Sequence, residues 1–219
     1  MDATAWIVML WVAFAGTHML LSSSRLRPGL VRALGEAGFL AGYSLVSFAT
    51  FVPLVWVYFA NKHGGALLWA AALGPVLRWV IYLGMTVAFV LMVAALMTPS
   101  PVSIAAPDNV ALRGVHRLTR HGLFMGLGLF GLLHLVVNGY ATDVAFFAGF
   151  PIFAVLGSWH QDLRKRESLD GYREFCAKTP FLPFTGRETL RGLRELSPVA
   201  VVIGAAVAIV LRWYHHLLF

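Results

Sequence analysis

The chain has 219 residues, 59% hydrophobic and 12% charged, with a formal net charge of +7. Soluble domains carry about 25% charged residues, so a water-exposed globule is excluded, and the apolar fraction excludes a disordered chain. A single cysteine excludes a disulfide framework and a thiolate zinc site. What remains is an all-α, polytopic helical membrane bundle, one integral domain over residues 1–219.

Six stretches approach the roughly 20 apolar residues that cross a bilayer. The first, Ala5–Leu21, is expected to be retained as a span, since Asp2 rather than a cation precedes it. It carries His18 beside small residues, and Arg25, Arg27 and Arg32 follow. Phe39–Ala60 and Val76–Met97 form the second and third spans. Arg113, Arg117 and Arg120 then fall at i, i+4 and i+7, one face of a helix, where they suit phosphate, a carboxylate or propionates, or simply orient the chain. Gly122–Val137 and Ala141–Trp159, separated by Asn138-Gly139-Tyr140, read as a helical hairpin. His121 opens the first of these and His134 lies within it, with Asn138 at i+4. Gly122, Gly126, Gly128 and Gly131 allow either close helix contact or a flat ligand. Residues 160–197 form a loop with a helix near Leu163–Phe175, broken at Pro180 and Pro183, and Cys176 is a bystander there. Pro198–Leu218 is the sixth span.

Charge orients this series. Fourteen of the 17 Lys and Arg residues lie in the loops after spans one, three and five; Lys62, Arg78 and Arg212 lie on the other side. The positive-inside rule makes the basic loops cytoplasmic and puts both termini outside, in an inner (plasma) membrane. The basic balance therefore reflects insertion and contact with membrane lipid, and no nucleic-acid partner is expected.

Ionisable groups inside spans mark function. Here they are imidazoles, His18 and His134, and no carboxylate is expected in the membrane interior. Each either bridges helices, His18 toward Ser44 or Ser47, or ligates a metal or haem. Two histidines with no nearby thiolate or carboxylate favour haem over zinc.

The run Gly16-Thr17-His18, then Leu34-Gly35-Glu36, Tyr43-Ser44-Leu45-Val46-Ser47, Arg120-His121-Gly122 and His134-Leu135-Val136-Val137-Asn138-Gly139 resembles the NnrU family over roughly residues 6–150. The family's RHP segment has Gly122 in place of proline. The resemblance implies a multi-pass inner-membrane protein linked to nitrogen-oxide respiration. It also implies kinship with the plant zeta-carotene isomerases, which use haem b held by two histidines. By that resemblance His18 and His134 stand at the ligand positions. The arginine face would set Arg117 and Arg120 near the propionates, with His121 as the reserve ligand. The cysteine three residues before the isomerases' second histidine is Gly131 here, so a thiolate switch is not expected.

A narrower resemblance joins Arg120-His121 to Arg166-Glu167-Ser168-Leu169, Tyr172-Arg173-Glu174-Phe175 and Thr179-Pro180-Phe181-Leu182-Pro183. It points to membrane methyltransferases of the isoprenylcysteine and phospholipid type. Those bind S-adenosylmethionine, here near Arg120, His121 and Glu167. The expectation is thus a haem b protein acting in redox chemistry or polyene isomerisation, on an apolar polyene or lipid. The alternatives are an S-adenosylmethionine-dependent methyltransferase or a non-enzymatic assembly factor for respiratory complexes. One difficulty is visible in advance. At 1.5 Å per residue, His18 and His134 sit about 14 Å apart in depth if the span limits hold.

Overall fold

The computed structural model describes residues 2–100 and 112–218, with side chains to residue 215. The described residues form α1 (Ala3–Leu21), α2 (Arg27–Ala60), α3 (Pro75–Met97), α4 (Val115–Leu118), α5 (Gly122–Val137), α6 (Ala141–Ser168), α7 (Tyr172–Lys178), α8 (Thr189–Arg194) and α9 (Pro198–Leu218). Five of these, α1, α2, α3, α6 and α9, are long and apolar enough to cross a membrane. The expected fourth span is α5, which has 16 residues and so rises about 24 Å. It lies between α3 and α6, while α1 packs on α2 and α6, and α9 packs on α3.

α5 reaches its neighbours through glycine. A Cβ at Gly126 would stand 2.5 Å from Met92 Cγ and 2.7 Å from the Ala88 carbonyl of α3. A Cβ at Gly131, on the α6 side, would stand 2.6 Å from the Phe147 carbonyl. That carbonyl has a specific history. Pro151 lies four residues on and has no N–H to offer it, so the backbone of α5 fills the space beside it. Of the two uses open to these glycines, close helix packing is the one found.

Three elements depart from the sequence expectation. α2 begins at Arg27 rather than Phe39 and kinks at Gly35, whose φ of 71° suits a residue without Cβ. α6 continues past Trp159 to Ser168 and carries two buried carboxylates, Asp143 and Asp162. The membrane helices are therefore not free of acids. The arginine face is the third: α4 ends at Leu118, and Thr119 is extended, at φ −165° and ψ 144°. Its hydroxyl donates to the Phe181 carbonyl at 2.7 Å, so Arg120 leaves the helical register of Arg117, and Arg113 lies before α4.

The two ends of the bundle differ. At one end the Asn61–Gly74 connection meets the α5–α6 hairpin, where Leu68 N donates to the Gly139 carbonyl at 2.8 Å. At the other, basic end, the segment before α5 packs with residues 160–197.

Candidate functional site

His18 lies near the end of α1, with Tyr43 and Ser47 of α2 and Phe153 of α6 around it. The Ser47 hydroxyl donates to the Tyr43 carbonyl at 2.8 Å. Its oxygen is then an acceptor for His18, 3.2 Å away from Nδ1. The proton is thereby fixed on Nδ1 and the ring's lone pair on Nε2. This is the helix-bridging contact to Ser47 that the sequence suggests.

His134 repeats the arrangement with a different acceptor. Nδ1 donates to the Phe130 carbonyl one turn back, at 2.9 Å, so its lone pair also lies on Nε2. The ring stacks on Phe147 at 4.4 Å and 14°. Asn138 binds the backbone carbonyl of His134 rather than its ring. A histidine held at one nitrogen by a protein acceptor is oriented to use the other as a ligand or base.

Between the two runs an unbroken series of ring contacts. His18 meets Phe153 at 5.4 Å, Phe153 meets Trp11 at 6.4 Å, and Trp11 meets Phe150 at 5.1 Å. Phe150 meets Phe130 at 5.6 Å, and Phe130 meets His134 at 4.2 Å. Trp11 is anchored in this seam by a 3.0 Å bond from its indole to the Phe146 carbonyl. Gly149 leaves room for it, since a Cβ there would stand 2.0 Å from the indole ring.

Haem b is a demanding fit to this pair. The donor type is right, since both are imidazoles held through Nδ1. A shared metal needs each nitrogen about 2 Å from it, yet the two rings touch α6 at Phe153 and Phe147. Those positions are six residues apart, about 9 Å along the helix. In this packing the two imidazoles contact α6 nearly two turns apart.

Arg117, Arg120 and His121 are brought together elsewhere, at the basic end, and there they have carboxylate partners. Arg120 donates to Asp162 Oδ2 from Nε at 3.0 Å and from Nη2 at 2.6 Å, and to the Thr179 carbonyl from Nη1 at 2.7 Å. Oδ1 of the same carboxylate lies 2.8 Å from His121 Nε2 and accepts from the Tyr172 hydroxyl at 2.6 Å. Burial lowers the His121 pKa against the pull of Asp162, and burial followed by the bond to Asp162 raises that of Tyr172. Arg117 pairs with Glu188 and, at 2.7 Å, with Glu195. The bond from Arg117 holds the Glu195 carboxyl down at about 2. Charges so neutralised form a clasp between the segment before α5, the end of α6, α7 and α8. Glu167, the acid of the methyltransferase resemblance, is exposed and stands outside it.

Asp162 was not singled out in the sequence because it lies in a charged stretch. One signal does mark it: the buried positions Ala154 and Ser158 of α6 continue at the same four-residue spacing to Asp162. A second dyad lies at the opposite end. Asp143, fully buried in the first turn of α6, accepts from the His63 backbone at 3.1 Å and pairs with its ring at 2.9 Å.

Comparison with known proteins bears on this arrangement. A family model described as NnrU protein matches residues 6–219. The chain is 26% identical over 194 residues to 15-cis-zeta-carotene isomerase, chloroplastic, from Arabidopsis thaliana. The match covers 84% of this chain and 52% of that protein, so the chain spans about half the length of its relative. No solved structure matches.

Proposed function

The chain belongs to the NnrU family, and from that membership we propose that it isomerises a cis double bond of a polyene inside the membrane. The observation that carries the reading is the aromatic seam with an imidazole at each end. A conjugated chain is apolar and offers a π face along its length, which offset and edge-to-face rings pack against favourably. The two imidazoles, each held through Nδ1, are the reactive groups along that path. Similarity to a protein named for isomerising 15-cis-zeta-carotene supports the same substrate class. The proposed setting is the plasma membrane, with the basic end in the cytoplasm.

The test is direct. Membranes containing the full chain, incubated with a cis polyene, should shift the cis-to-trans ratio read by chromatography, and His134→Ala should abolish the shift. An unchanged ratio with the wild-type chain would sink the reading. We extend the proposal to haem b, with the Nε2 of His18 or of His134 as its ligand. Protein purified after haem-supplemented expression should then show a Soret band that one of the two alanine variants loses. A colourless protein removes haem and leaves isomerisation to be judged by the chromatogram.

A further inference from the structure

The clasp around Asp162 and the pairing of Arg117 neutralise the arginines before α5. They leave the Nε of Arg164, further along α6, without a partner. Two residues beyond Asp162, the Nε of Arg164 is buried and has no hydrogen-bond partner. A buried donor with no partner in the protein is completed by water or by a bound group. Arg27, at the start of α2, lies within electrostatic reach of both Arg164 and Lys165. The carboxylate beside Arg27 is Glu36, already bonded to it at 2.5 Å. Asp162 has both oxygens committed to Arg120, His121 and Tyr172. Arg27 thus faces like charge from Arg164 and Lys165, at the end of the bundle that carries most of the positive charge.

The surroundings say which anion. Trp159 and Leu163, one turn apart on α6, are 54% and 43% exposed, and Leu26 and Leu34 flank the first segment of α2 at 41% and 57%. A free phosphate ion has no use for these surfaces, whereas acyl chains cover them while a headgroup phosphate meets the guanidinium fork of Arg164. We infer that Arg164, Arg27 and Lys165 bind the phosphate of an anionic phospholipid at the basic end of the bundle. The site uses none of the seam's rings and stands whether or not the chain isomerises polyenes.

Native mass spectrometry of the full-length protein in detergent tests it, with phosphatidylglycerol and phosphatidylcholine offered in turn. Phosphatidylglycerol should be retained over phosphatidylcholine, and Arg164→Gln should lower its retention about fivefold, the worth of one arginine at a membrane surface. Arg212→Gln, at the opposite end, should leave retention unchanged. Equal retention of the two lipids, or full retention by R164Q, would overturn the inference. Displacement of the lipid by millimolar inorganic phosphate would overturn the lipid as the source of the anion. If R164Q loses its helical circular dichroism, Arg27→Gln is read against the same threshold.

Discussion

The Asp162 carboxylate takes hydrogen bonds from Arg120, His121 and Tyr172, all buried with it. Removing its charge would leave the Arg120 guanidinium without its counter-ion, and breaking a buried pair in this way costs about 3–5 kcal/mol. Asp162→Asn should therefore lower the thermal midpoint markedly, whereas Glu167→Gln, at an exposed residue, should leave it unchanged. Glu195 gives a pH signature. Its folded pKa of about 2 lies below the ordinary glutamate value of 4.5, so its contribution is complete above 4.5 and is lost as pH falls toward 2. Thermal midpoints taken across that window should fall for the wild-type chain, and Glu195→Gln should flatten that part of the slope. The arginines at this end were visible in the sequence, but their partners were not. Pairing needs Asp162, Glu188 and Glu195 to arrive from α6 and residues 179–195, and such long-range convergence leaves no mark in local spacing.

Among the elements, α5 concentrates the physical constraints. It is short, it carries His134, and it approaches α3 through Gly126 and α6 through Gly131. A side chain at Gly131 would collide with the Phe147 carbonyl and with Phe150 Cβ at 2.7 Å. Gly131→Cys should therefore destabilise the chain by about 1–3 kcal/mol, measured as a lower thermal midpoint, and should not supply a ligand beside His134. The glycine run and the hairpin after it were legible from residue type alone. The kink at Gly35 was not, since hydropathy places the second span from Phe39 and does not report a helix that begins earlier and bends. The extended Thr119 was hidden for a related reason: an i, i+4, i+7 series satisfies helical spacing even where a hydroxyl bond to the Phe181 carbonyl breaks the helix.

For the whole molecule, composition and charge were enough to establish a helical membrane bundle, because a bilayer admits few alternatives to apolar helices of sufficient length. The helix ends in the structure sort as that reading requires, with Asn61–Gly74 and the α5–α6 hairpin at one end and the arginine clasp at the other. Placing the basic end in the cytoplasm predicts that a cysteine at Lys62 reacts with an impermeant maleimide in intact cells. A cysteine at Arg191, in a chain with Cys176 replaced, should react only after permeabilisation. The histidines themselves were legible, since they are ionisable groups in apolar helices. Their surroundings were less so. The seam of Trp11, Phe130, Phe150 and Phe153 joins three helices, and no single span shows that its rings will meet. The most direct measurement of the central claim is the isomer ratio of a cis polyene incubated with membranes containing this chain. The wild-type chain should enrich the trans form and His134→Ala should not; an identical ratio with both would contradict the account.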